Sequence, residues 1–595
     1  MLLRVLDALL REDVAGLRTR SVPLEREDGR WLRLPTGEHG DENGDALLLP
    51  VAEEGFQCAY AARAPYLVAR HGTEELRLTS YGVVLAALKA LADPADRPGF
   101  DAFAEECRED LAARRLHART RDEVTARLRD RYGADPARWT GPAEGLAHDT
   151  LAARHDHPVY PTGRGRAGLG DSELRAYAPE FHPRFALRWL TVPRDALTVP
   201  GGTDALPGLW PSPAALGLPE PDASRLALPV HPLTLGAPLR AALRATGLQD
   251  RGAVLAERPY LDVVPTLSMR TVAVADAPGL HLKLPLATAT LGLRNRRTIK
   301  PGTLVDGAVC QRLLEAVTAR EPRFRDTVLH ADETVYAHAG HELLAVLCRR
   351  LPPGLDGAVI TPLAALLSEA PGGTPDGAQD RALVIDRLAD RFYGGDPVAL
   401  FDAFLTPLLD WQTTLLGYGI ALESHQQNVS LVLDRDEAVR GTRLRLLFKD
   451  NDGPRLNPAR VRASLGPEAP DPSEFADARI LAADDGQLAD LFTTITVHLC
   501  AAAPAFALAR HGRAPLPTLL GLIRARLEEA AERLGTAPGE PGALLRSRVL
   551  DAPELPVKAM VTAGTLLTKE RSGAADVNKH YTTGPNYLRW SRRCP

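Results

Sequence analysis

Two stretches dense in proline and glycine constrain this chain more than any other feature. One covers residues 191–224 and includes TVPGGTDALPGLWPSPAALGLPEP; the other runs from Leu351 to Asp380 and includes Pro352-Pro353-Gly354 and Pro371-Gly372-Gly373. Such composition breaks helices and strands, so each stretch marks a linker or a long surface connection. A single hydrophobic core rarely serves 595 residues. The chain therefore divides into three regions: 1–185, mainly helical; 186–395, a sheet region; and 396–595, helix and sheet combined. The expected fold class is α+β.

Local patterns support that division. Residues Asp101 to Tyr132 carry helical periodicity in Leu111, Leu116, Val124 and Leu128. The short apolar segments Leu226 to Val230, Thr271 to Val274 and His281 to Leu284 alternate between turns, as antiparallel strands do. Asp396 followed by Pro397 is an N-cap and first-turn pair, opening a helix that Pro407 kinks and that Gly417 and Gly419 close. Helical patterns return at Gln487 to Arg510 and Leu516 to Leu534.

Composition excludes several classes. A formal net charge of -5 gives no support for a nucleic-acid partner. No run of about 18 uninterrupted apolar residues suggests a membrane span. The N-terminal MLLRVLDALLREDVAGL carries Arg4 and Asp7 within its apolar run, so it reads as an amphipathic helix rather than a signal peptide, and a cytoplasmic location is expected. Six cysteines (58, 107, 310, 348, 500 and 594) contain no C-x-x-C pair, so they read as core thiols. Among 71 Lys and Arg only seven are Lys, and six of those seven (283, 300, 449, 558, 569 and 579) lie in polar segments of the middle and last regions. Either the lysines cluster by chance, or a compact ammonium is needed there where a planar guanidinium would not serve.

The chemistry-bearing residues gather in two places. Glu423-Ser424-His425-Gln426-Gln427-Asn428 separates apolar Gly419 to Leu422 from Val429 to Leu433, and Lys449-Asp450-Asn451-Asp452-Gly453 follows the strand-like Arg443 to Phe448. Asp450 and Asp452, with Asn428, suit a magnesium ion held together with substrate phosphates, although Asn-Asp-Gly is equally an excellent turn. In the middle region Ser268-Met269-Arg270, Lys283 and Arg294-Asn295-Arg296-Arg297 fall on strands and their loops. Ser268 and Arg270, as alternate strand residues, can share a face. Cations converging on a magnesium site describe a nucleoside triphosphate pocket, without a Walker A or Rossmann fingerprint.

These segments resemble a known family. His157-Pro158-Val159-Tyr160-Pro161-Thr162-Gly163-Arg164-Gly165-Arg166-Ala167-Gly168, Tyr177-Ala178-Pro179-Glu180-Phe181, Pro229-Val230-His231-Pro232, Thr266-Leu267-Ser268-Met269-Arg270-Thr271 and the Glu-x-His-x-Gln-Asn run at 423–428 occur in order. They are similar to the motifs of the NRPS-independent siderophore synthetases, the aerobactin-synthetase-like IucA/IucC family. Two positions depart from the pattern: Tyr160 replaces a usual His, and Arg164 a frequent Lys.

The resemblance implies a three-lobed cupped hand of thumb, fingers and palm, with ATP between an antiparallel fingers sheet and a mixed palm. It implies activation of a carboxylate of citrate or a citrate derivative as an acyl-adenylate, then condensation with an amine or alcohol. By resemblance Ser268, Arg270, Lys283 and Arg294 hold phosphates, with Thr288 or Thr290 assisting. Gln427 and Asn428 contact nucleotide, while Asp450 and Glu423 attend Mg2+. His425 and Lys558 serve the carboxylate pocket with Arg294, Arg297 being the other candidate for the active-site arginine. Lys569 and Lys579 lie in segments with the polar density of a site edge, which a solvated loop explains equally well. A homodimer is the default assembly. Two other readings are a small-molecule kinase with a related magnesium-ATP site and a binding protein that retains the pocket without catalysis.

Overall fold

The computed structural model describes residues 1–36, 44–218, 224–372, 382–436, 441–451, 453–572 and 580–592. Asp452, Asn578, Lys579 and Cys594 lie outside the described residues, as does the side chain of Lys569. The five described cysteines are all buried and unoxidised.

The first region contains the expected helices, Leu2–Arg11, Tyr81–Leu91, Arg97–Arg119 and Arg121–Tyr132, and a further helix, Gly141–Ala153, where Gly141-Pro142 reads as loop. It also contains a sheet that the helical reading omits. Strands Val22–Arg26, Gly29–Pro35, Ala46–Glu53, Leu67–His71 and Glu74–Leu78 pair antiparallel in that order, and Tyr60–Ala62 adds to Ala46–Glu53. Ala46–Glu53 buries both of its faces: Leu47 and Leu49 meet the N-terminal helices, while Ala46 and Leu48 meet Trp31 and Val68. A strand buried on both sides shows a continuous apolar run, which periodicity cannot separate from a helix segment.

The middle region forms an eight-stranded antiparallel sheet. Its order is Asp332–His338, Ala345–Arg350, Ala277–Lys283, Thr271–Val274, Tyr260–Pro265, Phe185–Pro193 and Arg225–Val230, with Val254–Leu255 beside Phe185–Pro193. In register, Thr271 and Leu347 flank Lys283 on its two sides.

A third sheet lies in the C-terminal part, but half of its strands come from before residue 396. Val359–Pro362 pairs antiparallel with Val429–Asp436, which pairs antiparallel with Gly441–Phe448, and Val328–His330 runs parallel to the last. The regions also share their largest core, which extends from Phe56 to Leu588 around Phe401, Phe404 and Trp411 of helix Pro397–Tyr418. That helix has the predicted ends. The Asp396 carboxylate accepts from the amides of Val398 and Ala399 at 2.8 and 3.1 Å, and Gly419 leaves the helix at φ +84. Only glycine takes that φ without strain, and an added Cβ would stand 2.8 Å from Arg460. Among the described residues one helix, Asp485–Arg510, is long and apolar enough to cross a membrane, and its apolar stretch is wholly buried inside the fold.

Candidate active site

The site lies where the eight-stranded sheet meets the C-terminal sheet. Strand Ala277–Lys283 ends on Lys283, and the chain leaving Gly441–Phe448 reaches Asp450 two residues on. The buried Lys283 ammonium donates to the Asp450 carboxylate, and Arg349 lies 3.4 Å from the same oxygen. Burial alone would push this carboxyl up. Lys283, Arg349 and Arg270 outweigh it and hold Asp450 well below the usual carboxylate range, so it is an anion.

Asp450 sits at φ +69, in a left-handed conformation that costs a non-glycine residue roughly 1–2 kcal/mol. Glu333 holds it there. One Glu333 oxygen accepts the Asp450 amide at 2.7 Å and Arg349 Nε at 2.5 Å; the other accepts the Asn451 amide at 3.3 Å. Glu333 and Arg349 are almost completely buried and were not singled out in the sequence. A signal existed, since Glu333 shares strand parity with the buried Val335 and Ala337 and is the charged member of an inward face.

Ser268 and Arg270 do not lie on a strand. They occupy the tight turn between Tyr260–Pro265 and Thr271–Val274, closed by Thr266 and Thr271 and by Met269 at φ +61. The turn, not strand alternation, brings them to one site. Ser268 Oγ accepts the Thr271 amide at 3.1 Å, and Arg270 donates to the Thr298 carbonyl at 2.7 Å while its charge reaches Asp450.

The opposite wall is the 423–428 turn. The amides of His425 and Asn428 donate to the Glu423 and His425 carbonyls at 2.9 and 2.8 Å, and the Gln427 amide points at His425 Nδ1 from 3.3 Å. Asn428 Nδ2 lies 3.5 Å from Nε2, so an N–H donor faces each ring nitrogen. Withdrawal from solvent pushes the His425 imidazole down to about 4; Asp450 opposes this, and Lys558, Arg297 and Lys449 reinforce it. His425 is therefore a neutral hydrogen-bonding group at pH 7 rather than a cation. Its neighbour is His157 of the first motif, whose Nδ1 accepts the Val159 and Tyr160 amides at 3.3 and 2.9 Å; desolvation, followed by His425, pushes that ring down to about 3.

Lys558 ends strand Glu554–Lys558, opposite Tyr581, with its ammonium 3.9 Å from Glu423. Arg294 donates to the Ala563 carbonyl at 3.1 Å, and its amide bonds the Gly564 carbonyl at 3.2 Å. Arg297 is the arginine whose charge reaches His425. Thr288 is committed to the Ala167 carbonyl at 2.8 Å, whereas the Thr290 amide bonds Asn295 across the loop at 3.3 Å. Tyr160 is fully buried and donates to Glu106 at 2.8 Å, and Arg164 pairs with Asp156 at 2.9 Å. Both departures from the motif thus have protein partners.

Residues 149–368 match the IucA / IucC family, a span that includes the first four motifs, while 399–573 match a family described as ferric iron reductase FhuF-like transporter. Over those 220 residues the chain is similar to the IucA/IucC family. Along with this family match, the chain is similar to the rhizobactin siderophore biosynthesis protein RhbC of Rhizobium meliloti (strain 1021), 27% identical over 482 residues and 73% of each chain. It is 31% identical over 134 residues to an L-2,3-diaminopropanoate–citrate ligase of Staphylococcus aureus, covering 22% of this chain and 23% of the relative. The chain spans about half the length of an uncharacterised Sinorhizobium fredii protein that it also matches. Its fold is that of the ATP-bound aerobactin synthetase IucA of Klebsiella pneumoniae, at a TM-score of 0.68 and 18% identity over 99% of both chains.

Proposed function

We propose that this protein is an ATP-dependent siderophore synthetase of the IucA/IucC family. It would activate a carboxylate of citrate or a citrate derivative as an acyl-adenylate, releasing pyrophosphate, and pass the acyl group to an amine or alcohol, releasing AMP. The observation that carries the reading is the convergence of Lys283, Arg270 and Arg349 on ionised Asp450 at the junction of two sheets, facing neutral His425. The names of the relatives, one a citrate ligase and one an ATP-bound synthetase, point the same way.

In this reading residues 1–185, 186–395 and 396–595 are thumb, fingers and palm of a cupped hand, and ATP lies between the last two. Lys283, Arg270 and Ser268 receive the triphosphate, with Thr290 at the loop beyond, while Gln427 and Asn428 meet the nucleotide. The cations are fixed before substrate arrives, so they stabilise charge developing on phosphorus without reorganising. His425 hydrogen-bonds and orients the acid, and Lys558 and Arg294 offer charge to its remaining carboxylates. A carboxylate oxygen attacks the α-phosphorus and pyrophosphate leaves; the nucleophile then attacks the acyl carbon and AMP leaves.

Among the described residues no three His, Cys, Asp or Glu form a metal cage. Magnesium held chiefly by phosphates needs only one or two carboxylates, and ionised Asp450 with Glu423 fits that requirement. Bound there, the ion would neutralise phosphate charge. The test is a panel of acids, including citrate, a citrate monoamide and 2-oxoglutarate, assayed for pyrophosphate and AMP release with hydroxylamine trapping. Acid-dependent pyrophosphate is expected. ADP without pyrophosphate would instead identify a kinase, and no turnover alongside ligand binding would identify a binding protein.

A further inference from the structure

Two acidic side chains of the N-terminal helices serve the far wall of the site, more than four hundred residues away in sequence. Glu12, just after helix Leu2–Arg11, accepts the Val561 amide at 3.0 Å, the Thr562 amide at 2.8 Å and the Thr562 hydroxyl at 2.9 Å. Glu106, inside helix Arg97–Arg119, accepts the Thr565 hydroxyl at 2.9 Å on one oxygen, and the hydroxyls of Tyr160 and Thr162 on the other. Both carboxyls are buried. The 561–565 turn that they grip is the support of the Arg294 loop. The Leu293 amide donates to Thr565 Oγ1 at 3.3 Å, the Arg294 amide to Gly564 O at 3.2 Å, and the Arg294 guanidinium to Ala563 O at 3.1 Å. The backbones touch closely, an added Cβ on Gly292 standing 3.0 Å from Gly564 Cα.

We infer that Glu12 and Glu106 are positioning residues for the reaction: through the 561–565 turn they set the Arg294 loop against the acid-binding wall of the site. This rests on the synthetase reading for its kinetic consequence, but not for its structural one. Three hydroxyls sharing one buried carboxylate are a costly arrangement to build unless their mutual placement matters, because each needs that acceptor once water is excluded. The same carboxylate ties the loop of the first motif, through Tyr160 and Thr162, to the Thr565 turn. Glu106 therefore sets two sides of the acid-binding wall from one point.

The experiment compares Glu12→Gln, Glu106→Gln, Thr565→Val and Thr565→Ser in the full chain, by amide hydrogen exchange and by steady-state kinetics. Thr565→Val removes both the donor to Glu106 and the acceptor of the Leu293 amide. We expect exchange at Leu293 and Arg294 to rise about tenfold or more, with helix Pro397–Tyr418 unchanged. The KM for the acid should rise about tenfold while the KM for ATP moves less than about twofold, and Thr565→Ser should restore both. Unchanged protection at Leu293 and Arg294 in Thr565→Val, or acid and ATP KM rising in parallel, overturns the inference. If a Gln variant does not fold, Thr565→Val decides. If the wild type releases no pyrophosphate with any acid, the synthetase reading fails, and the exchange measurement still decides the positioning role.

Discussion

Removing the charge of Glu333 tests the central cluster most directly. In Glu333→Gln one carbonyl oxygen must replace two carboxylate oxygens that accept from Arg349 at 2.5 Å, Asp450 at 2.7 Å and Asn451 at 3.3 Å. The amide nitrogen of Gln then faces another donor, leaving at least one buried N–H unsatisfied at about 1–3 kcal/mol. Arg349 keeps Asp450, 3.4 Å away. Breaking a buried ion pair by removing one partner typically costs about 3–5 kcal/mol, and that range is the expected loss of unfolding free energy. With one acceptor oxygen in place of two, the left-handed Asp450 backbone is held less firmly, so nucleotide affinity should fall with stability. Urea unfolding followed by circular dichroism reads the first effect and calorimetric titration with ATP the second. The double variant Glu333→Leu with Arg349→Met removes both charges together and should be more stable than Glu333→Gln alone. A Glu333→Gln protein within about 1 kcal/mol of wild type, or a double variant less stable than the single one, is incompatible with a charge pair that holds the turn.

Lys283→Met removes a charge-assisted contact worth about 1.5–3 kcal/mol, so ATP affinity measured by titration should fall roughly 10- to 100-fold. Asp396→Ala strips the cap from helix Pro397–Tyr418 and should cost about 1 kcal/mol in thermal unfolding without altering ATP affinity. Acid should destabilise the fold early. Burial pushes His148, His231 and His281 down to about 3, and His117, His182 and His498 down to about 4. The unfolded chain therefore binds more protons between pH 6.5 and 4, and stability is full above 6.5 and falls below it. Each depression of two units is worth about 2.7 kcal/mol, so a few exceed the ~5–15 kcal/mol of a typical domain. The urea midpoint should drop steeply from pH 6.5 to 5, and a midpoint constant over that interval would contradict neutral buried imidazoles.

Much of the secondary structure was readable because it depends on neighbours in the chain. The Asp396-Pro397 start and Gly419 stop of one long helix, and the strands at 225–230, 271–274 and 277–283, follow from capping chemistry and alternation. The six-stranded N-terminal sheet was not readable, because a doubly buried strand such as Ala46–Glu53 has no alternation to read. The 396 boundary marks a real helix start but not a division of the sheet, whose strands at 328–330 and 359–362 come from before it. Strand pairing over such distances depends on packing, not on local pattern.

The sequence by itself supplied the candidates for the site: Glu423, His425, Asn428, Lys283, Asp450 and Lys558 are residues whose types set what chemistry they can do. It could not determine their states. Whether His425 is charged depends on Lys558, Arg297, Lys449 and the exclusion of water, groups that only folding assembles. Asp450, beside the Asn-Asp-Gly turn, gained its partner only when Lys283, 167 positions earlier, closed on it, and the inward parity of Glu333 gave no sign that Arg349 and the Asp450 turn were its partners. Residue type sets what a side chain can do. The electrostatic field and packing of distant neighbours decide which of those things it does.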